Sequence, residues 1–251
     1  MIKKFDVYIT PLKLTRTIHL YLPNNYDYTD ERYPVMYMYD GHNLFFDEDA
    51  TFGKSWGLKE FLDSYDKNFI IVGIECNKDG RKRLDEFCPY TLPDSRLGSL
   101  NGKGKVFMDW VVEELKPYID QNYRTIPFRE CTGIGGSSMG GLMSLYTVIA
   151  YNQYFSKAAC LSSSVSICMD ELIDEFNHYE INPDTRVYLS HGKKETRGKE
   201  HLQQVKDNLE SFYHEFVNSD ASCMINITNG IHNEVSWELE NPTYFHYLWR
   251  Q

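Results

Sequence analysis

A serine at position 138 stands in the pattern Gly136-x-Ser138-x-Gly140. This pattern is typical of a sharp turn between a strand and a helix that exposes a nucleophile. The two flanking positions must be nearly free of side chain, and the neighbouring Ser137 would have Met139 at one of them, so the spacing favours Ser138. The free N–H groups of the helix that follows would lie where a negative oxygen forms.

The segments on either side of this serine have the periodicity that such a turn requires. Residues 131–136 predict a short buried strand, and residues 139–151 predict a helix because apolar residues recur at helical spacing. The pattern alone occurs by chance in chains of this length. The order of strand, glycine-flanked serine and helix therefore carries the interpretation of Ser138 as a nucleophile.

A serine hydroxyl needs a histidine to accept its proton and a carboxylate to orient that histidine. His232 follows the last predicted strand in a glycine-containing loop, and we expect it to be the base. Glu195 is the first carboxylate after the preceding predicted strand, and we expect it to be the acid. Asp184 and Glu200 are alternatives for the acid. His191 is an alternative for the base, although it precedes the acid in the chain.

Stabilising a tetrahedral oxyanion requires two preorganised N–H donors. The amide of Met139, directly after the nucleophile, is one expected donor. The second is expected from the loop after a strand at 34–39, from His42 or Asn43. Gly41 would let this backbone come close to the substrate. The imidazole of His42 is not needed for this role, and both pocket lining and simple packing remain open for it.

The remaining segments predict an α/β fold with a mostly parallel sheet and helices on both faces. Two antiparallel strands open the chain, at 4–10 and 16–22, and residues 75–103 predict a long ordered loop. We expect one domain over residues 1–251. The other predicted strands are 34–39, 69–74, 131–136, 157–162, 186–191 and 224–227, and the predicted helices lie near 55–65, 104–122, 139–151, 169–178, 198–217 and 233–249.

The composition limits the classes of partner. The 26 basic and 36 acidic residues give a formal charge of −10, which disfavours nucleic acid and anionic membranes. No apolar run approaches the roughly 20 residues that span a bilayer. No signal core follows the N-terminus, and the six cysteines lack zinc spacing, so we expect a cytoplasmic protein with reduced thiols. The oligomeric state stays open, with a homo-oligomer among the options.

Several segments also carry a family resemblance. They are Tyr39-Asp40-Gly41-His42-Asn43-Leu44-Phe45, Trp56-Gly57, Val72-Gly73-Ile74, Arg83 with Glu86-Phe87-Cys88-Pro89-Tyr90, Leu115-Lys116-Pro117-Tyr118-Ile119 and Gly136-Ser137-Ser138-Met139-Gly140-Gly141. Together they resemble the putative-esterase (esterase D-like) family of α/β-hydrolases. This family includes enterochelin esterases, feruloyl and acetyl-xylan esterases and S-formylglutathione hydrolases.

The resemblance implies an α/β-hydrolase fold and ester hydrolysis through an acyl-serine. It supports Glu195 as the acid, since Gly192-Lys193-Lys194-Glu195 is similar to the family's acid loop, and it supports His232, with Trp237 following. His42 departs from the pattern, because many members carry glutamine there.

Residues 163–184 leave little room for a large lid, so we expect an open cleft. Candidates to line it, each of which also fits loop packing, are Asn43, Phe45, Phe46, Trp56, Phe87 and Tyr90.

These observations predict a serine carboxylesterase that acts on a small or oligosaccharide-borne ester. Ser138, Glu195 and His232 would be catalytic, with the amides of His42 and Met139 as the oxyanion hole. No metal or cofactor is expected. The alternatives are an acyltransferase that uses the same residues and a non-catalytic binding protein that kept the fold.

Overall fold

An eight-stranded sheet runs through the structure, a computed structural model that describes residues 1–250. The strands of the described chain are β1 (Ile2–Ile9), β2 (Leu14–Tyr21), β3 (Val35–Tyr39), β4 (Ile70–Ile74), β5 (Thr91–Ser95), β6 (Gly98–Asn101), β7 (Thr132–Ser137), β8 (Lys157–Leu161), β9 (Arg186–Gly192) and β10 (Ser222–Thr228). In the sheet they lie in the order β1-β2-β4-β3-β7-β8-β9-β10, and β5 and β6 pair in a separate hairpin.

Most of this sheet is parallel. β1 pairs antiparallel with β2, and β2 pairs antiparallel with β4. All neighbouring strands from β4 to β10 are parallel, so their carboxyl ends meet at one edge. The predicted antiparallel opening and parallel remainder are confirmed, with strand bounds that differ from the predicted ones by at most two residues.

Helices cover both faces of the sheet. They are α1 (Leu58–Ser64), α2 (Lys82–Glu86), α3 (Gly104–Trp110), α4 (Lys116–Asn122), α5 (Met139–Ala150), α6 (Met169–Asp174), α7 (Lys199–Asn218), α8 (Glu234–Glu238) and α9 (Asn241–Trp249). A π-helical segment, Val111–Leu115, joins α3 to α4. The prediction of a single helix at 233–249 is wrong, because this segment forms two helices, α8 and α9. Pro242 lies in the first turn of α9, where proline is favoured because its missing N–H has no helical partner.

Side chains alternate between two apolar clusters, as they must in a sheet that is covered on both sides. On β3, Tyr37 belongs to a cluster that also contains Phe107 of α3. Its neighbours Met36 and Met38 belong to the opposite cluster, together with Phe245 of α9. The continuous apolar run of β3 is thereby explained, since both faces of the strand are buried.

The segment 75–103 is not one irregular loop as predicted, because it contains α2 and the β5–β6 hairpin. Elements of four or five residues are too short to show a period in sequence. Within residues 1–250 no large lid covers the carboxyl edge of the sheet, and only short helical turns and α6 lie between β8 and β9. No helix of the described chain is both long and apolar enough to cross a bilayer.

Candidate active site

Ser138 occupies a strained turn between β7 and α5. Its backbone lies at φ 58° and ψ −119°, outside the conformations that a serine normally adopts. A Cβ on Gly136 would lie 2.9 Å from the carbonyl carbon of Gly140, so the turn closes only with glycine there. The Ser138 amide donates to the carbonyl of Leu161 at the end of β8, which anchors the turn to the sheet.

The hydroxyl of Ser138 has a second serine beside it. Its Oγ lies 3.4 Å from the Oγ of Ser164, and the amide of Ser164 donates to the Ser138 carbonyl. Ser164 follows β8, the neighbour of β7, and no sequence pattern singled it out. These contacts hold the nucleophile candidate against the loop that leaves β8.

Glu195 and His232 meet at the same edge of the sheet. β9 and β10 are parallel neighbours, with Gly192 opposite Thr228 at their ends, so the loops that follow them lie side by side. The Nδ1–H of His232 donates to Oε2 of Glu195 over 2.6 Å. His232 and Ser138 line one open cleft of about 560 Å³. The structure thus brings together the three residues that the sequence predicted as catalytic.

The carboxylate of Glu195 is held by further donors. The Gly192 amide and the Ser162 hydroxyl both donate to its Oε1, over 2.9 Å and 2.7 Å. The indole N–H of Trp237 donates to the Ser162 hydroxyl over 2.9 Å. Burial raises the pKa of Glu195, but the hydrogen bond from His232 and the other neighbours outweigh burial, so the pKa lies below its usual value. The site therefore keeps Glu195 ionised as an acceptor for His232.

The ring of His232 is positioned on two sides. Its Nδ1 faces Glu195, and its edge packs against the ring of Trp237 with 5.1 Å between ring centroids. Its side chain is nevertheless 45% exposed, and the residue lines the same cleft as Ser138. A base that must reach both the nucleophile and a leaving group needs this access.

The alternative acids and the alternative base make different contacts. Asp184 pairs with Arg129, and Glu200 is exposed at the start of α7. His191 lies beside the site, with Nε2 3.9 Å from Oε2 of Glu195, and it lines a second cavity of about 210 Å³ together with Glu195 and His232, but it is not among the residues that line the cleft of Ser138. Burial lowers the pKa of His191, although the neighbouring Glu195 raises it. The geometry favours Glu195 and His232 over these alternatives.

The two backbone amides expected to form the oxyanion hole have no hydrogen-bond partner in the described chain. In the described residues 1–250, neither the Met139 amide nor the His42 amide donates a hydrogen bond to another group. Met139 is the first residue of α5, where free N–H groups are expected. A Cβ on Gly41 would lie 2.4 Å from the carbonyl carbon of Gly73 in β4, so only glycine allows this approach of the His42 loop.

Residues 10–239 of the chain match the family described as Putative esterase. The chain belongs to this family. Among curated relatives, the protein named "Uncharacterized protein YbbA" of Bacillus subtilis (strain 168) is 26% identical over 193 residues, which cover 75% of this chain and 72% of YbbA. The family supports ester hydrolysis as the activity of this chain.

Solved structures agree with this fold. The IroE-like serine hydrolase from Shewanella oneidensis has a TM-score of 0.78 at 20% identity, over 98% of this chain and 80% of that chain. The siderophore hydrolase EstA from Aspergillus nidulans has a TM-score of 0.75 at 16% identity, over 100% of this chain and 95% of that chain. The likeness establishes an α/β-hydrolase fold for this esterase-family chain.

Of the six residues predicted to line the cleft of this esterase, the structure places one there. Asn43 lies on the cleft wall. Phe45, Trp56 and Phe87 are buried in the two apolar clusters, because large aromatic side chains on these short loops pack inward against the sheet. Phe46 is partly buried and packs against the apolar cluster that contains Phe45. Tyr90 donates its hydroxyl to Glu175 over 2.8 Å and is not among the residues that line the cleft.

Residues that the sequence did not indicate line the rest of the esterase cleft. Phe52, Val235 and Trp237 supply its apolar surface. Arg83 donates from Nε and Nη2 to the two carboxylate oxygens of Asp40, over 2.7 Å and 2.6 Å. Burial raises the pKa of Asp40, but Arg83 outweighs burial and brings the pKa below its usual value. Asp40 and Arg83 stand in the segments that carry the family resemblance, which was the available signal for them.

Proposed function

We propose that this protein is a serine carboxylesterase with Ser138 as nucleophile, His232 as base and Glu195 as the orienting acid. The observation that carries the proposal is the 2.6 Å hydrogen bond to Glu195 from His232, which lines the same cleft as Ser138. The strained turn at Ser138 supports it, since strain of this kind is retained where function requires it.

The reaction follows from this arrangement. The Oγ of Ser138 attacks the ester carbonyl while Nε2 of His232 takes the hydroxyl proton. The carbonyl electrons move onto oxygen, and the amides of Met139 and His42 donate to this oxyanion. His232 then gives its proton to the leaving alcohol as the ester C–O bond breaks. Water, deprotonated by His232, attacks the acyl-serine, and the carboxylic acid leaves as the proton returns to Ser138.

Glu195 acts through His232 and not on the substrate. Its carboxylate accepts the Nδ1 proton, which fixes the tautomer that has Nε2 free as a base. As His232 becomes an imidazolium, the negative charge of Glu195 stabilises it. The Gly192 amide and the Ser162 hydroxyl keep the carboxylate in place through this change.

The open cleft favours a small ester or an ester carried on an oligosaccharide. Exposed Phe52 and Val235 offer apolar contact for an acyl group, and Lys54, which pairs with Glu238 over 2.7 Å, lines the same cleft. One structural neighbour is named a siderophore hydrolase, so a siderophore ester belongs in the same test. Acyl transfer to an alcohol remains the alternative, because the same three residues would catalyse it.

We also propose that residues 1–251 form one domain, since the two apolar clusters share one central sheet. A cytoplasmic location is part of the proposal, because none of the six cysteines is in a disulfide.

A fluorophosphonate probe with peptide mapping tests the mechanism, and we expect a single adduct on Ser138. Rates on p-nitrophenyl acetate, p-nitrophenyl butyrate, methyl ferulate, S-formylglutathione and a ferric catecholate ester then test the substrate class. Free acid as the main product in the presence of sugar alcohols supports hydrolysis, and faster formation of a new ester would support transfer. Absence of labelling on the folded protein would contradict both.

A further inference from the structure

Three side chains of different chemistry cluster on the wall of the cleft. One ligand atom each from Asp40, His42 and Cys76 lies within 4.8 Å of the other two, and all three residues are buried. β3 and β4 are parallel neighbours with Tyr39 opposite Ile74, so the residues that follow both strands meet at one edge. The sequence could not show this cluster, because its members come from two strand ends without a metal-binding spacing.

The imidazole of His42 has one nitrogen without a partner. Its Nε2 lies 2.9 Å from the hydroxyl of Thr51, whereas its Nδ1 is buried and has no hydrogen bond among the described residues. The residue is only 4% exposed, so bulk water has little access to Nδ1 as a hydrogen-bond partner. A buried, unsatisfied ring nitrogen is costly unless a ligand completes it.

The carboxylate of Asp40 can accept the hydrogen bonds from Arg83 and bind a cation at the same time. Each of its oxygens accepts one hydrogen bond from Arg83. A carboxylate offers about four lone-pair sites, so these two bonds leave acceptor capacity on both oxygens.

Ions can reach this cluster from solvent. Asp40, His42 and Cys76 line the same open cleft as Ser138. Cys76 also borders a second, shallower cavity on the side of β2, next to Arg16. Cys76 therefore borders two cavities, although the residue itself is buried.

We propose that Asp40, His42 and Cys76 bind a thiophilic divalent cation such as Zn²⁺, and that this ion inhibits ester hydrolysis. The inhibition rests on the proposed function, whereas the binding does not. One oxygen, one nitrogen and one sulfur ligand suit Zn²⁺, with water in the fourth position. The Cys76 thiol loses its proton to solvent as the metal–sulfur bond forms.

Inhibition follows from the place of the site in the cleft. Asp40 and His42 flank Gly41 on the loop that carries the second oxyanion amide, and the ion would bind both side chains. Coordination would fix this loop around the metal instead of around a substrate oxyanion. The ion and its water would also occupy part of the cleft into which Ser138 opens.

Cobalt binding tests the site independently of catalysis. We expect one Co²⁺ per chain with a near-ultraviolet thiolate-to-cobalt absorption, which Zn²⁺ displaces. Cys76→Ser should abolish the absorption. His42→Gln should weaken binding by more than about tenfold, since even partners outside the ligand set contribute about 10- to 100-fold. The control is Cys131→Ser, which removes a partly exposed thiol elsewhere and should change neither result.

Activity then tests the consequence. Zn²⁺ should inhibit the wild type reversibly, EDTA should restore the rate, and Cys76→Ser should resist inhibition at the same metal concentration. Circular dichroism confirms that each variant is folded. An unchanged cobalt absorption in folded Cys76→Ser would overturn the site, and full hydrolysis at saturating Zn²⁺ would overturn the inhibition. Ser138→Ala should still bind Co²⁺, so failure of the proposed esterase mechanism is recognised separately.

Discussion

The Nδ1 atom of His232 lies 2.6 Å from the Oε2 atom of Glu195, although 37 residues separate them in the chain. Parallel pairing of β9 with β10 creates this contact, because it places both following loops at one edge of the sheet. The intervening residues form α7, which packs on the sheet and returns the chain to that edge. The fold thus supplies the carboxylate–imidazole pair that the proposed hydrolysis requires.

We predict that Glu195→Gln lowers kcat by about 10³- to 10⁴-fold, because glutamine cannot stabilise the imidazolium or hold the tautomer of His232. KM should change little, since Glu195 does not touch the substrate. Steady-state kinetics on p-nitrophenyl acetate measures both. Glu200→Gln, at an exposed position, is the matched control and should keep the wild-type rate. A loss of less than tenfold in Glu195→Gln would assign the acid role to another residue.

Ser162 is predicted to position Glu195. Its hydroxyl links the indole of Trp237 to Oε1 of Glu195, and Ser162→Ala removes both hydrogen bonds. We expect kcat to fall by about tenfold, equivalent to about 1.4 kcal/mol in the transition state, with little change in KM. Glu195 should also be protonated at higher pH than in the wild type, because it loses a hydrogen bond that lowers its pKa. A loss of folding stability with no change in the NMR titration of the Glu195 carboxyl would indicate a structural role alone.

Glu195 should also make stability depend on pH. Its folded pKa is lowered from the ordinary value of 4.5, so its contribution is present above that value and is lost as pH falls through the folded pKa. The difference in unfolding free energy between wild type and Glu195→Gln should therefore be constant above about pH 5 and shrink below it. Urea denaturation at a series of pH values measures this difference. A difference that grows on acidification would contradict the lowered pKa.

Phe52 is predicted to bind part of the substrate. It is 80% exposed at the cleft, so Phe52→Ala should raise KM for methyl ferulate by about tenfold while the melting temperature stays unchanged. Tyr28 is the matched control, since it is 87% exposed and is not among the residues that line the cleft. Tyr28→Ala should leave KM unchanged. Equal effects of the two substitutions would exclude a specific contact with Phe52.

The sequence predicted the parallel sheet because its strands are apolar on both faces, as Tyr37 and Met38 show on β3. It predicted the positions of Ser138, Glu195 and His232 from the turns that follow strands, which parallel pairing brings to one edge. α2 and the β5–β6 hairpin were missed, since elements this short have no measurable period.

Side-chain direction was less predictable than position along the chain. Phe45 and Phe52 are both aromatic residues on the same connection between β3 and α1, yet the first is buried and the second is exposed at the cleft. Which one turns inward depends on tertiary packing, which local sequence does not encode. The contacts of Ser164 and Ser162 were missed for the same reason, because they depend on how the loop after β8 meets other strand ends.

The most direct test of the account compares the turnover of purified Ser138→Ala with that of Ser137→Ala on the same ester. Ser137 ends β7 and is buried directly beside the nucleophile candidate, so it controls for disturbance of the turn. We predict that Ser138→Ala loses at least about 10³-fold in kcat and all fluorophosphonate labelling, while Ser137→Ala keeps both within about tenfold. Ester turnover that persists in Ser138→Ala and disappears in Ser137→Ala would contradict the assignment of the nucleophile.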